Sequence, residues 1–401
     1  MKRKTTIIGK KAVSLILSAA MTIAGTQLSF AKTVSKSTSG KTYSSTSGGN
    51  NAVLVSGKKV TLKKAKIRKS GSSNSENADF NGTNAAVLAK NGAKVSIRKS
   101  KVTTNGNHAN GVFCYGSGTN VTVSNTTIKT TGNCSGGIMT TGGGTMTAKN
   151  LKVTTSGNSS AAIRTDRGGG TVKVTGGKFV TGGVGSPAVY STANIIVNKA
   201  VLNAKKSEAV VIEGGNSVTL NNTTLTGNNS VLNGQSQVKT NVLIYQSMSG
   251  DASEGNSTFT MTGGKMTCKT GAMFYVTNTT TTINLNKAKL VNAGSSVLLK
   301  ASTGPWGRSG KNGGHVTLNA KAQTLKGDIS IGSQSTLSFN LNSSSNYTGK
   351  ITGSGTTSVT IDSGSTWTLT GDSSVKSLSN NGTIRLNGHT LTVNGKVYKQ
   401  S

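Results

Sequence analysis

Reactive side chains are scarce in this 401-residue chain, which has only 10 Asp and Glu and 3 His. The acids are Glu76, Asp79, Asp166, Glu208, Glu213, Asp251, Glu254, Asp328, Asp362 and Asp372. Two groupings suggest chemistry. Asp166 lies between Arg164 and Arg167 in Arg-Thr-Asp-Arg-Gly, and Glu208 and Glu213 flank one apolar run. Glycoside hydrolysis needs two carboxyl groups set across a sugar, and calcium needs acids at loop spacing. Neither pattern is convincing here, so no catalytic residue is assigned and no metal or cofactor is expected. No nucleophile elbow or phosphate loop occurs. His108, His315 and His389 match no zinc spacing. Cys114, Cys134 and Cys268 are too few and scattered for a disulfide framework. Cys114 reads as a small buried hydrophobe, and a Cys114–Cys134 pair is the alternative.

The cations form a clearer pattern. Lys and Arg total 45, for a formal net charge of +35. Lys66, Lys101, Lys152, Lys178, Lys265 and Lys289 recur at one position of an internal repeat. A second recurring position holds Leu54, Leu88, Phe113, Met139, Arg164, Tyr190 and Val211. If it faces outward it is a ridge on which Phe113, Arg164 and Tyr190 could hold a sugar ring. If inserted loops cover it, or if the strand phase is inverted, it is not. Large exposed apolar patches are uncommon, which favours a covered ridge.

The repeat that positions these residues is an apolar–polar–apolar triplet found thirteen times, from Val60-Thr61-Leu62 to Ile384-Arg385-Leu386. Most successive starts lie 21 to 26 residues apart. Five residues after most triplets comes another apolar residue, such as Ile67, Val102, Ile128, Val153 or Leu391, with Gly, Asn and Ser between. These tolerate the positive φ of a tight corner. A third element precedes the triplet, as in Ala52-Val53-Leu54-Val55 and Ala188-Val189-Tyr190-Ser191. Three short alternating strands per coil cannot bury their inward residues alone, but stacked coils can. The pattern predicts an all-β, single-stranded parallel β-helix of about thirteen right-handed coils, with all three strands regular over residues 52–327. Residues 328–401 read as looser coils with a C-terminal cap, and 32–51 as a flexible polar leader with an N-terminal cap strand. Insertions at about 70–84, 226–241, 246–257 and 302–314 should cluster on one face.

This fold accounts for 53 Gly, 2 Pro and 4% aromatics. Corners take Gly, ladders reject Pro, and a narrow core admits few rings. The charge needs another reason. Like charges side by side on a sheet are disfavoured, yet Lys66 and Lys101, Lys152 and Lys178, and Lys265 and Lys289 fall on adjacent coils. Such a column either solubilises the molecule or binds a repeating polyanion. The triplet's outward Thr-rich column suits a strand surface and lacks the regularity and low charge of an ice-binding plane.

Residues 1–31 carry a basic start, an apolar run and Ser29-Phe30-Ala31, as in a secretory signal peptide cleaved after Ala31. Its removal leaves 40 basic and 10 acidic residues, a net of +30. No second apolar span and no sorting signal follow. The expected product is a secreted, extracellular monomer, free or held to the cell wall without a covalent anchor.

The coils, with Ala-Val-Tyr-Ser-Thr-Ala (188–193), Glu-Ala-Val-Val-Ile-Glu-Gly (208–214) and Leu-Ile-Tyr-Gln-Ser-Met-Ser-Gly-Asp (243–251), resemble exported β-helix proteins of gut clostridia. Those are adhesin-like or carbohydrate-binding members of the pectin-lyase-like fold, and the resemblance covers about residues 52–390. It implies a non-catalytic surface protein that binds an anionic polysaccharide or cell-wall polymer. Two alternatives are a polysaccharide lyase, whose calcium-binding acids have no match here, and a structural surface protein without a ligand. Export and the lack of aromatic-interleaved basic motifs argue against a specific nucleic-acid partner.

Overall fold

Alternating apolar residues and frequent corners force the chain into short strands, and each strand finds its partner one coil away. A computed structural model describes residues 32–233 and 237–399. The expected signal peptide lies outside the described residues. The described chain is a parallel β-helix. Its preceding strands form one twelve-stranded parallel sheet, in strict order from Val53–Ser56 to Ile351–Thr352. The triplet strands and those after them form a second, larger parallel sheet that bends around the other sides of the coil. Among the described residues no helix is long and apolar enough to cross a membrane.

Register follows the side-chain period of two. Val53, Val87, Val112, Ile138, Ile163, Val189 and Val210 stack in line and are all fully buried. So do Val60, Val95, Val121, Met146, Val172, Ile195 and Val218 in the triplet ladder. Beyond residue 279 the ladder departs from the triplet alignment by two residues, with Ile283 opposite Leu318. A shift of two keeps every apolar side chain inside. The thirteenth triplet is a correction. Ile384 continues a different column, Leu325–Tyr347–Trp367–Ile384, and Leu378 takes the triplet position beside Val359. Leu391 belongs to the terminal sheet, where Leu391–Val393 pairs antiparallel with Lys396–Tyr398 and closes the end.

Both predicted margins are more regular than their composition suggests. Residues 32–51 form a first coil, not a loose leader: Thr38–Ser39 pairs with Leu62–Lys63, Thr42–Ser45 pairs with Lys66–Lys69, and Tyr43 closes the core. In the C-terminal coils Phe339, Tyr347 and Trp367 are buried and in ring contact.

One corner escaped the sequence pattern. Gly106, Gly132, Gly157 and Gly183 stack so closely that a Cβ on Gly157 would lie 1.9 Å from the Gly132 carbonyl oxygen. Beside them Thr130 and Thr155 donate to the Ser135 and Ser160 carbonyls at 2.6 Å. Gly157→Ala should cost about 1–3 kcal/mol through overpacking. Thermal unfolding checks this, and an unchanged melting temperature would contradict the close approach.

Candidate functional site

Two faces concentrate functional side chains, and they differ in charge. On the larger sheet, parity places the residue before each buried apolar position outward. Thr42, Lys66, Lys101, Thr127, Lys152, Lys178, Val201, Thr224, Lys265 and Lys289 are directly paired in that order, one per coil. Every member from Lys66 to Lys289 is exposed. The lysines come in three adjacent pairs, separated by Thr127 and by Val201 with Thr224. Strand spacing puts each pair about 4.8 Å apart at the backbone. Two ammonium groups at about 5 Å repel by about 0.8 kcal/mol in water. Among the described residues, none of these lysines has an acidic partner within ion-pair distance.

The neighbouring outward column adds cations that the sequence reading missed. Arg68, Thr103 and Lys129 stack two residues beyond the first column, and Arg68 and Lys129 are exposed. Lys66, Arg68, Lys101 and Thr103 line one shallow groove. The signal was present in the alternation: a residue two positions after an outward lysine also faces outward. On the adjoining strands Lys59 pairs with Lys94 and Lys63 with Arg98, so the first coils are the most basic part of this surface.

The twelve-stranded sheet carries the other face. Its outward column is covered, because all four insertions touch this side. Thr141 donates to the Phe80 carbonyl of the first insertion at 2.6 Å. Ser247 of the third bonds Glu213, and Trp306 of the fourth stacks against Tyr245 with ring centroids 4.5 Å apart. Asn229 of the second donates to Glu208 at 3.0 Å. Phe113 is therefore no exposed platform. It is fully buried beneath Gly82, where an added Cβ would meet its ring at 2.5 Å. Arg164 and Tyr190 fare differently, since both line a cleft of about 170 Å³ between the loops.

Eight of the ten acids stand on this sheet or its loops, from Glu76 to Asp328, and several form a built network. Arg164 Nε donates to Asp166 Oδ2 at 2.9 Å, and its guanidinium lies 5.5 Å from the Tyr190 ring centroid. Tyr190 and Tyr245 both donate to Glu213 Oε2, Tyr245 at 3.0 Å. Arg167 clamps two insertions: Nε donates to Asp251 at 2.6 Å, and the guanidinium lies 3.7 Å from the Phe80 ring centroid. Sequence spacing hid this network. Asp166 and Glu213 lie 47 positions apart, and only the coils bring them to one face.

Burial sets the protonation states. Desolvation lifts both tyrosine hydroxyls well above their ordinary value, so they serve as neutral donors. It also raises Asp166, with Arg164 pulling back only in part. Glu208 is 4% exposed, and burial raises its carboxyl against hydrogen bonds from Ser207 and Asn229. The folded protein thus holds the Glu208 proton more tightly than the unfolded chain. That stabilisation is complete below the unfolded value and is lost as pH rises through the folded one. The melting temperature of Glu208→Gln, minus that of the wild type, should increase as pH rises from about 4 toward neutrality. A pH-independent difference would contradict the assignment.

All three cysteines are free. Burial pushes the Cys114 thiol up to about 12 and Cys268 up to about 11, which leaves both inert as nucleophiles. Among the described residues no group of three or more His, Cys, Asp or Glu is arranged to hold a metal ion.

No protein-family model matches the chain, and no curated protein matches it.

Proposed function

We propose that this is an exported, adhesin-like β-helix protein that binds an anionic polysaccharide or cell-wall polymer, without catalysis, through its lysine face. The observation that carries the reading is the register of Lys66, Lys101, Lys152, Lys178, Lys265 and Lys289. They are exposed in one straight column without acidic partners among the described residues. A solenoid fixes charge spacing in a way that a flexible basic tail does not. Lysine pairs that repel one another in the free protein are neutralised when a polymer lays its anionic groups along the column. With most acids on the loop-covered face, the lysines of this column have no acidic partner among the described residues.

Titration calorimetry of residues 32–401 with polygalacturonate and with wall teichoic acid tests the reading. Saturable binding is expected at about 20 mM salt, with at least tenfold weakening at about 300 mM, since exposed charges are screened over a shrinking Debye length. Absence of binding to either polymer at low salt would overturn it.

A further inference from the structure

We propose that the cleft over Tyr190 and Glu208 is a second, independent binding site, and that its ligand is the ring of an uncharged sugar. Its lining includes Arg164, Tyr190, Glu208, Leu243, Tyr245 and Trp306. About 170 Å³ is below the roughly 300–1,000 Å³ of sites for drug-sized ligands, so the occupant is small.

Charge narrows the class. The cleft's charged lining is one base and one acid, Arg164 and Glu208, and Arg164 is already paired with Asp166, which disfavours the polyanion that suits the lysine face. A simple cation meets Arg164 itself. Hydroxyl groups suit both, because one hydroxyl donates to a carboxylate and accepts from a guanidinium. The other walls are rings: Trp306 and Tyr245 lie 4.5 Å apart at a 48° tilt, with Leu243 beside them on the floor. Such walls take the apolar C–H face of a pyranose.

The fold does not demand Glu208. At the equivalent corner the two preceding coils carry Ala161 and Pro187, and both also line the cleft. A carboxyl group at 4% exposure replaces a small residue there, against the cost of desolvating it. It is oriented by Ser207 at 2.7 Å and Asn229 at 3.0 Å. A positioned, desolvated acceptor beside an aromatic wall is a binding device, and no strand pairing depends on it.

Saturation-transfer NMR with the methyl glycosides of glucose, galactose, mannose and N-acetylglucosamine tests this, with galacturonate as the anionic control. At least one neutral glycoside should bind saturably with a dissociation constant of about 1–10 mM. The affinity should be unchanged between low and high salt and in lysine-face variants, which separates this site from the proposed polymer site. Trp306→Ala should weaken binding at least tenfold and Trp306→Phe should restore most of it, with melting temperatures showing that both variants fold. Glu208→Gln should weaken binding at least threefold. No binding by any neutral glycoside at about 50 mM, preference for galacturonate, or full affinity in Trp306→Ala would overturn the proposal.

Discussion

Reversing Lys66, Lys101, Lys152 and Lys178 to glutamate is expected to weaken binding to an anionic polymer at least 100-fold at low salt. Four contacts worth about 0.8 kcal/mol each in water amount to about 3 kcal/mol, or about two decades of affinity. Reversal adds repulsion to that loss. The fold should be untouched, because these side chains are exposed and their ladder partners remain. Reversing Lys326, Lys376, Lys396 and Lys399 changes net charge by the same amount but alters exposed lysines off the column. That control should lose less than tenfold. Equal losses in the two variants would mean that net charge, not the column, does the binding.

The largest expected stability effect lies at the C-terminal end. Trp367→Ala should cost about 3–5 kcal/mol, the range for truncating a fully buried large ring. Trp367 is completely buried, donates from Nε1 to the Gly349 carbonyl at 3.0 Å, and stacks over Tyr347 in the same column. In a solenoid each coil contacts only its neighbours. The loss should therefore appear first as opening of the coils from about residue 345 onward. Hydrogen exchange would report this as lost protection there, with Val87 to Val210 still protected. Unchanged protection at Tyr347 and Ile351 would contradict a packed C-terminal end.

The coil path was legible because side-chain alternation and corner residues act locally. Val60, Val95 and Val121 occupy the same position in every coil, so the stacking partner of each follows from counting. The lysine column was legible for the same reason, since parity alone decides whether Lys66 faces out. Where the repeat length changes, counting fails. Ile384 follows a triplet pattern yet stacks on Trp367, because the last coils are shorter and use another column. The cleft depends on Asn233 and Trp306, from two insertions that obey no repeat. Nothing local to Glu213 indicates that Tyr190, Tyr245 and Ser247 converge on it. The parity of Phe113 and its cover by an insertion were readable, but the residue that seals it was not. Its cover, Gly82, lies 31 residues earlier in the first insertion.

The composition therefore resolves into two surfaces. Acids are scarce, and most of those present stand on the loop-covered face, where Asp166 and Asp251 pair with arginines and Glu213 with tyrosines. The remaining surface is left positive, and its lysines are held in line by the ladder beneath them. Lysine acetylation footprinting with saturating polygalacturonate tests that central claim most directly. Modification at Lys66, Lys101, Lys152 and Lys178 should slow at least fivefold while Lys376 and Lys396 react as in the free protein. Uniform protection across all lysines, or none at the column, would contradict it.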